Sequence, residues 1–289
     1  MSERLERAPD SAARTAPVVL QSEHPVPDHP LHGRPAPGVW HPALYLAELI
    51  GTALLVAAGV SVVIMMFSPL SFGPGLIPAP WLRRAVTGLL FGLVGALVSV
   101  SAIGKVSGAH LNPSVTLAFL IEGKLKFRDA LGYWSAQLLG GLGGGLLLAA
   151  WGRVGSAAHW GDTEAGQGVP VWQAFAGEAL CTAALVVLIF RMGSHERTKA
   201  WTPWSIAPLF SLMVCLEAPL SGTSTNLARS LGPNLLAGSG GQLWLYLLAP
   251  LLGASGVALL SRSGGLGRHR PVAARVSHPA RDAGPLHTH

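Results

Sequence analysis

The sequence predicts an all-α membrane protein with six transmembrane helices, two re-entrant half-helices and an inverted internal repeat. Three observations favour this fold class. Half of the 289 residues are hydrophobic and only 12% are charged, which is about half the charged fraction of a soluble domain. Apolar runs of about twenty residues, the length that crosses about 30 Å of hydrocarbon, recur along the chain. Finally, two short motifs each occur twice.

Both ends of the chain are predicted to be disordered tails. Residues 1–41 and 261–289 are rich in Pro, Arg and His and contain no long apolar run, so they cannot bury enough apolar surface to fold alone. Residues 42–260 are predicted to form one membrane domain. Its six predicted spans lie at about 43–66, 84–104, 129–151, 171–191, 203–218 and 242–260.

The basic residues predict how the chain is oriented. An even number of spans places both termini on one side, where sixteen of the 20 Lys and Arg residues then lie. Because cytoplasmic loops carry an excess of Lys and Arg, both termini are predicted to be cytoplasmic, in a plasma or inner membrane. The basic residues lie in short loops and tails, so the expected partner is the lipid bilayer and not nucleic acid.

No cofactor or metal ion is expected. The two cysteines, Cys181 and Cys215, lie inside apolar runs and lack the spacing of metal ligands. Two such residues cannot provide a disulfide framework or a zinc site.

The two halves of the chain share sequence features. AELIGTALLV in the first half matches GEALCTAALV in the second, with Glu48 and Glu178 in register, and SGAHLNPSV matches SGTSTNLAR. We therefore divide the domain into repeat one, 43–151, and repeat two, 171–260. Each repeat holds three spans, an odd number, so the second enters the membrane from the opposite side and the repeats are inverted.

The second shared motif predicts a half-helix in each repeat. About nine mostly apolar residues separate Asn112 from Glu122, which is too short to span a bilayer. Asn is a favourable N-cap, and Pro113 occupies the first helical position, where its missing N–H costs nothing. Asn226 can cap the second copy, although Leu227 follows it. Half-helices that meet at their N-termini would bring partial positive charges and two amide donors to the bilayer centre.

These motifs together resemble the major intrinsic protein family, the aquaporins and glycerol facilitators. The resemblance rests on SGAHLNPSV, SGTSTNLARSLGP, the paired glutamates and the six-span inverted repeat, and it covers about residues 43–260. It implies that Glu48 and Glu178 accept hydrogen bonds from loop backbone, and that the protein is a homotetramer with one pore in each subunit. By the same resemblance the pore signature consists of Asn112, Pro113, Ser114, Asn226, Leu227 and Ala228.

The sequence departs from the family at both signature boxes. NPS stands in place of NPA in the first repeat, and NLA stands in the second. Ser114 is similar in size to the alanine that it replaces. Leu227 loses the fixed φ of proline but leaves the asparagine donor and the helix N-terminus, so we expect a less rigid second half-helix with the pore retained.

The resemblance also implies a narrow selectivity filter. Its residues are Gly92, Val214, Thr223 and Arg229. The first two follow from counting back twenty residues from Asn112 and twelve from Asn226. Aquaporins that pass only water resemble one another in carrying a bulky aromatic and a histidine there. Gly92 and Val214 offer neither, so we expect a wider filter that admits glycerol, urea or undissociated metalloid acids besides water. A register shift of one residue would instead place Phe91 in the pore and close it.

Passive permeation is the expected activity. A cation at the midplane would meet two helix N-termini and Arg229, all positive, in a low-dielectric channel, so ions and protons should be excluded. A coupled secondary transporter is the alternative, since transporters also use inverted repeats and broken helices. It would need a titratable group on the substrate path, and the deep acids Glu48 and Glu178 are better explained as loop supports. No triad or metal motif favours an enzyme.

Overall fold

Six helices in the described part of the computed structural model are long and apolar enough to cross a membrane. The structure describes residues 40–267 and 270–278, and within these ranges it contains helices but no strand. The helices, in chain order, are α1 (Pro42–Phe67), α2 (Gly73–Leu76), α3 (Pro80–Val100), α4 (Ala102–Ser107), α5 (Pro113–Ile121), α6 (Phe127–Leu147), α7 (Gly152–Ser156), α8 (Val171–Gly193), α9 (Thr202–Ser221), α10 (Leu227–Ala237) and α11 (Leu243–Arg262). The predicted fold class is confirmed, with α5 and α10 as the two half-helices.

Local sequence signals set several helix boundaries. Proline occupies the first turn of α1, α3, α5 and α9, where its fixed φ favours helix and its missing N–H costs nothing. The sequence predicts a second span that continues to about residue 104, whereas α3 ends at Val100. The Ser101 Oγ accepts a hydrogen bond from Gly104 N at 3.3 Å and thereby caps the separate short helix α4.

Glycines allow the long helices and half-helices to approach closely. A Cβ added at Gly88 of α3 would lie 2.3 Å from the carbonyl oxygen of Phe210 in α9, and one at Gly141 of α6 would lie 2.1 Å from that of Ala228 in α10. Any larger residue at either position would push the helix backbones apart. Small residues are the expected means of packing helices in lipid, where apolar burial gives little drive for association.

The repeats make matching contacts across the bundle. Half-helix α10 packs on α6, the last span of the other repeat, and α5 packs on α11 in the same way. Tyr133 of α6 donates its hydroxyl hydrogen to Ser107 O at 2.6 Å, and Tyr246 of α11 donates to Ser221 O at 2.7 Å. Each half-helix is therefore held between its own repeat and the other one.

The C-terminal region differs from the predicted disordered tail. Residues 270–278 pack on the face of the bundle at which α1 begins and α11 ends, and the backbone N–H groups of Val276 and Ser277 donate to Gly108 O at 2.8 and 3.0 Å. Val276 is only 2% exposed. Val276 is thus buried against the bundle, and the composition of this region does not predict that contact. The predictions for residues 1–39, 268–269 and 279–289 lie outside the described residues.

Candidate functional site

The N-termini of α5 and α10 meet inside the bundle, and an asparagine caps each of them. The Asn112 Oδ1 accepts a hydrogen bond from Ser114 N at 2.8 Å. The Asn226 Oδ1 accepts hydrogen bonds from the N–H groups of Ala228 and Arg229 at 3.0 and 3.4 Å. A side-chain oxygen at the N-cap satisfies N–H groups that have no partner within the helix.

The two asparagines are tied to each other's loops. Asn112 Nδ2 donates to Thr225 O at 2.9 Å, and Asn226 Nδ2 donates to Leu111 O at 2.8 Å. Each amide therefore binds the carbonyl of the residue that precedes the other asparagine. Both side chains line the same cavity, and a side-chain amide carries two N–H donors. Each asparagine can thus donate a second hydrogen bond to a molecule in that cavity.

Glu48 supports the first loop. Its carboxylate oxygens accept hydrogen bonds from His110 N at 2.9 Å and Leu111 N at 2.7 Å. Gln137 Nε2 donates to the same carboxylate at 2.7 Å. Glu48 is completely buried, and three donors compensate the cost of removing its charge from water.

Glu178 occupies the matching place in the second repeat. Its oxygens accept hydrogen bonds from Ser224 N and Thr225 N, both at 2.6 Å, and it too is completely buried. The geometry that the resemblance implies for the two glutamates is present in both halves.

The loops that the glutamates hold are conformationally strained. Ala109 and Leu111 have φ of 56° and 51°, and Thr223 and Thr225 have φ of 53° and 54°. These are the third and first residues before each asparagine. A non-glycine residue in the left-handed region costs of order 1 kcal/mol and persists only when its surroundings hold it. The buried carboxylates provide that hold.

Two cavities follow one path through the bundle. The inner cavity, of about 70 Å³, contains the two asparagines and lies toward the face that carries residues 270–278. The outer cavity, of about 290 Å³, reaches Phe67 at the end of α1 and therefore opens on the opposite face. It is also lined by Arg84 and Asp162.

Three side chains line both cavities and form the constriction between them. They are Phe91, Phe210 and Arg229. The two phenyl rings stack with centroids 5.7 Å apart and planes at 16°, and the guanidinium carbon of Arg229 lies 5.9 Å from the Phe91 centroid. Arg229 Nη1 donates to Gly161 O at 2.9 Å, which fixes the guanidinium beside the path. The constriction is therefore aromatic on one side and cationic on another.

The four predicted filter residues all lie along this path. Val214, Thr223 and Arg229 line the outer cavity, and Gly92 lines the inner one. A Cβ at Gly92 would lie 2.5 Å from Ala207 Cα, so this residue also packs against α9. Its neighbour Phe91, the residue that a register shift of one would place in the pore, lines both cavities. Phe91 and Phe210 thus add aromatic side chains that the predicted filter lacks, and a cavity remains on each side of the Phe91 ring.

Another buried acid, Glu217, lies next to the second loop. Glu217 is 6% exposed, and its Oε1 accepts a hydrogen bond from Ser221 Oγ at 2.5 Å. The same hydroxyl lies 2.6 Å from Glu178 Oε1, and Thr223 donates its hydroxyl hydrogen to Glu217. The internal repeat predicts only the matched acids Glu48 and Glu178, and Glu217 has no matching acid in the first repeat. Its place within an apolar span is nevertheless a sequence signal of a functional acid.

The described residues offer no evident metal site. Within 40–267 and 270–278, no three His, Cys, Asp or Glu side chains are arranged to hold an ion, and Cys181 and Cys215 are free thiols.

Comparison with known proteins identifies the family. The sequence model described as "Major intrinsic protein" matches residues 41–260. The chain belongs to the major intrinsic protein family. It is 32% identical to "Probable aquaporin NIP7-1" of Arabidopsis thaliana over 95% of this chain and 96% of that protein. It is 34% identical to "Glycerol uptake facilitator protein-like 6" of Lactiplantibacillus plantarum over 75% of this chain and 96% of that protein.

A solved structure has the same fold. The X-ray structure of the aquaglyceroporin from Plasmodium falciparum superposes with a TM-score of 0.59 at 19% identity, covering 76% of this chain and 95% of that one. The predicted family resemblance is thus confirmed. Membership in the major intrinsic protein family makes this chain a multi-pass membrane channel and not an enzyme.

Proposed function

We propose that this family member is a passive channel for water and small uncharged solutes that excludes protons and ions. The observation that carries the proposal is the meeting of two capped helix N-termini, with the Asn112 and Asn226 amides in one cavity. A water molecule there can accept hydrogen bonds from both amides through its oxygen. Its hydrogens then point away from the centre, which opposes a continuous chain of proton transfer.

Ion exclusion follows from the charges along the path. Each half-helix contributes about half a positive charge at its N-terminus, and Arg229 adds a full one at the constriction. A cation would meet these charges after losing its water shell in a space of low dielectric. An uncharged solute is not repelled by these positive charges and does not lose the hydration shell of an ion.

The constriction favours small solutes that are polar on one side. Phe91 and Phe210 can contact apolar C–H groups while Arg229 donates hydrogen bonds to a hydroxyl or carbonyl oxygen. Val214 and Thr223 line the outer cavity and leave the filter without a histidine. We propose water and glycerol as the first solutes to test, with urea and undissociated metalloid acids next.

Flux into proteoliposomes tests the proposal. Stopped-flow light scattering should show rapid water efflux under a sucrose gradient and slower glycerol entry under a glycerol gradient, both unaffected by an uncoupler. Asn226→Leu should reduce both fluxes, whereas Leu212→Ala, at a position 57% exposed on the outside of α9, should not. Uptake that requires a proton gradient would instead identify the coupled transporter, and a proton current would contradict ion exclusion.

We also propose a homotetramer with one pore per subunit, in a plasma or inner membrane with cytoplasmic termini. The support is the family resemblance for the tetramer and the distribution of Lys and Arg for the orientation. Light scattering of the purified protein should give about four times the 30.0 kDa chain mass after correction for detergent. Labelling of a C-terminal tag in intact cells should require permeabilisation.

A further inference from the structure

A C-terminal segment covers one mouth of the path. Residues Arg270–His278, here named the C-terminal strap, contain no regular helix and lie against the loop that leads into α5. Gly108 O, at the left-handed end of α4 (φ 90°), accepts hydrogen bonds from both Val276 N and Ser277 N. The strap therefore docks four residues before Asn112.

The strap places a side chain at the wall of the inner cavity. Val276 is 2% exposed and lines that cavity together with His110, Asn112 and Asn226. His110 Nε2 lies 3.0 Å from Ala274 O, and since a carbonyl can only accept, the imidazole donates this bond. Val276 thus forms part of the wall of the cavity on the side of the strap.

Two arginines hold the strap at the rim. Arg275 donates to the backbone oxygen of Lys105 and, at 3.1 Å, to that of Ser277. Arg270 forms an ion pair with Glu122 and donates to its backbone oxygen at 2.9 Å. Glu122 is 2% exposed, so the strap supplies the charge partner of a buried carboxylate. These contacts specify one docked position.

Release of the strap would leave the contacts among the bundle helices in place. Pro271 and Val276 are the buried apolar residues of the strap, whereas Val272 is 53% exposed. Gly108 O, Lys105 O and Glu122 face the mouth that the strap would vacate, where water can replace its hydrogen bonds. Segments with few buried apolar contacts open at low free-energy cost relative to a packed core.

We propose that the C-terminal strap is a detachable plug of this pore, closed when Val276 packs at the wall of the inner cavity and open when the strap is released. The inference rests on the proposed channel function, and it adds that the chain regulates its own conductance.

Accessibility of a buried cysteine tests the plug independently of transport. Ser99 lines the inner cavity and is 4% exposed, so Ser99→Cys is a conservative reporter once Cys181 and Cys215 are replaced by alanine. Reconstituted full-length protein is treated with methyl methanethiosulfonate, a small uncharged reagent that the proposed ion exclusion does not keep out of the cavity. The same measurement is made on a chain that ends at Gly267 and on Val276→Ala. Val272→Ala is the matched control, because it makes the same change at an exposed strap position.

The labelling rate should rise roughly tenfold or more for the truncated chain and for Val276→Ala, and stay unchanged for Val272→Ala. Water flux per channel should rise in the same two variants. Equal labelling of the full-length and truncated proteins would overturn the plug. If neither the full-length nor the truncated protein conducts water but labelling still rises on truncation, the proposed channel function is wrong. The conclusion that the strap covers the inner cavity is then still supported.

Discussion

Single buried acids support the loops on which the pore depends. Glu48 uses both oxygens to hold two consecutive N–H groups, and Gln137 donates to it as well. A glutamine at this position would present an NH₂ group where an acceptor is needed, leaving a buried donor without a partner.

Glu48→Gln should therefore destabilise the protein by about 1–3 kcal/mol. Thermal unfolding in detergent would show this as a lower midpoint. Glu164→Gln, the same change at an exposed acid, serves as the control and should leave the midpoint unchanged. Equal midpoints for the two variants would mean that Glu48 is not needed to hold the loop.

Phe210 is a second aromatic residue at the constriction that the sequence did not point to. Its ring stacks on Phe91, and both rings line the two cavities. Phe210→Ala should widen the path and raise glycerol flux several-fold relative to water flux, because a bulky apolar wall excludes solutes by size. The ratio of the two fluxes in proteoliposomes measures this. An unchanged ratio in a folded variant would place the narrowest point elsewhere.

At the scale of elements, the two half-helices differ at their first residue. Pro113 begins α5, whereas Leu227 begins α10. The first N–H of a helix has no partner within it, and proline at this position reduces the freedom of the unfolded chain without loss of a helical bond. The lower rigidity expected for the second half-helix stays a prediction.

Leu227→Pro tests that prediction. We expect a gain in stability of about 0.4–1 kcal/mol, seen as a higher thermal midpoint, with water flux unchanged because Asn226 still caps the helix. A lower midpoint would show that the leucine side chain contributes more by packing than proline contributes by its fixed φ.

At the scale of the whole molecule, a detachable strap would link pore opening to pH. His278 lies near Lys199, Arg275 and Glu196, and burial together with the Lys199 and Arg275 charges lowers its pKa from 6.5 to about 4. The released strap carries an ordinary His278, so between about pH 6.5 and pH 4 it binds more protons than the docked strap. Acidification therefore favours release.

Lowering the pH on the strap face from about 7 to about 5 should increase both Ser99→Cys labelling and water flux. His278→Gln should weaken this pH dependence, because glutamine does not titrate. A water flux that falls on acidification would contradict the expected release of the strap at low pH. The same measurements on the chain ending at Gly267 should show no dependence of labelling on pH beyond that of the reagent.

The sequence by itself determined the six spans, the inverted repeat and both half-helices, because these depend on local hydrophobicity, on span count and on Asn and Pro at fixed places. It also placed Glu48 and Glu178 in register. Only the tertiary structure decided that Phe91 and Phe210 form the constriction, that Glu217 joins the second loop, and that Val276 reaches the cavity. Those outcomes depend on how α3 rotates against α9 and on contacts between residues far apart in the chain. Counting residue positions along the sequence predicts neither the rotation of α3 against α9 nor these long-range contacts.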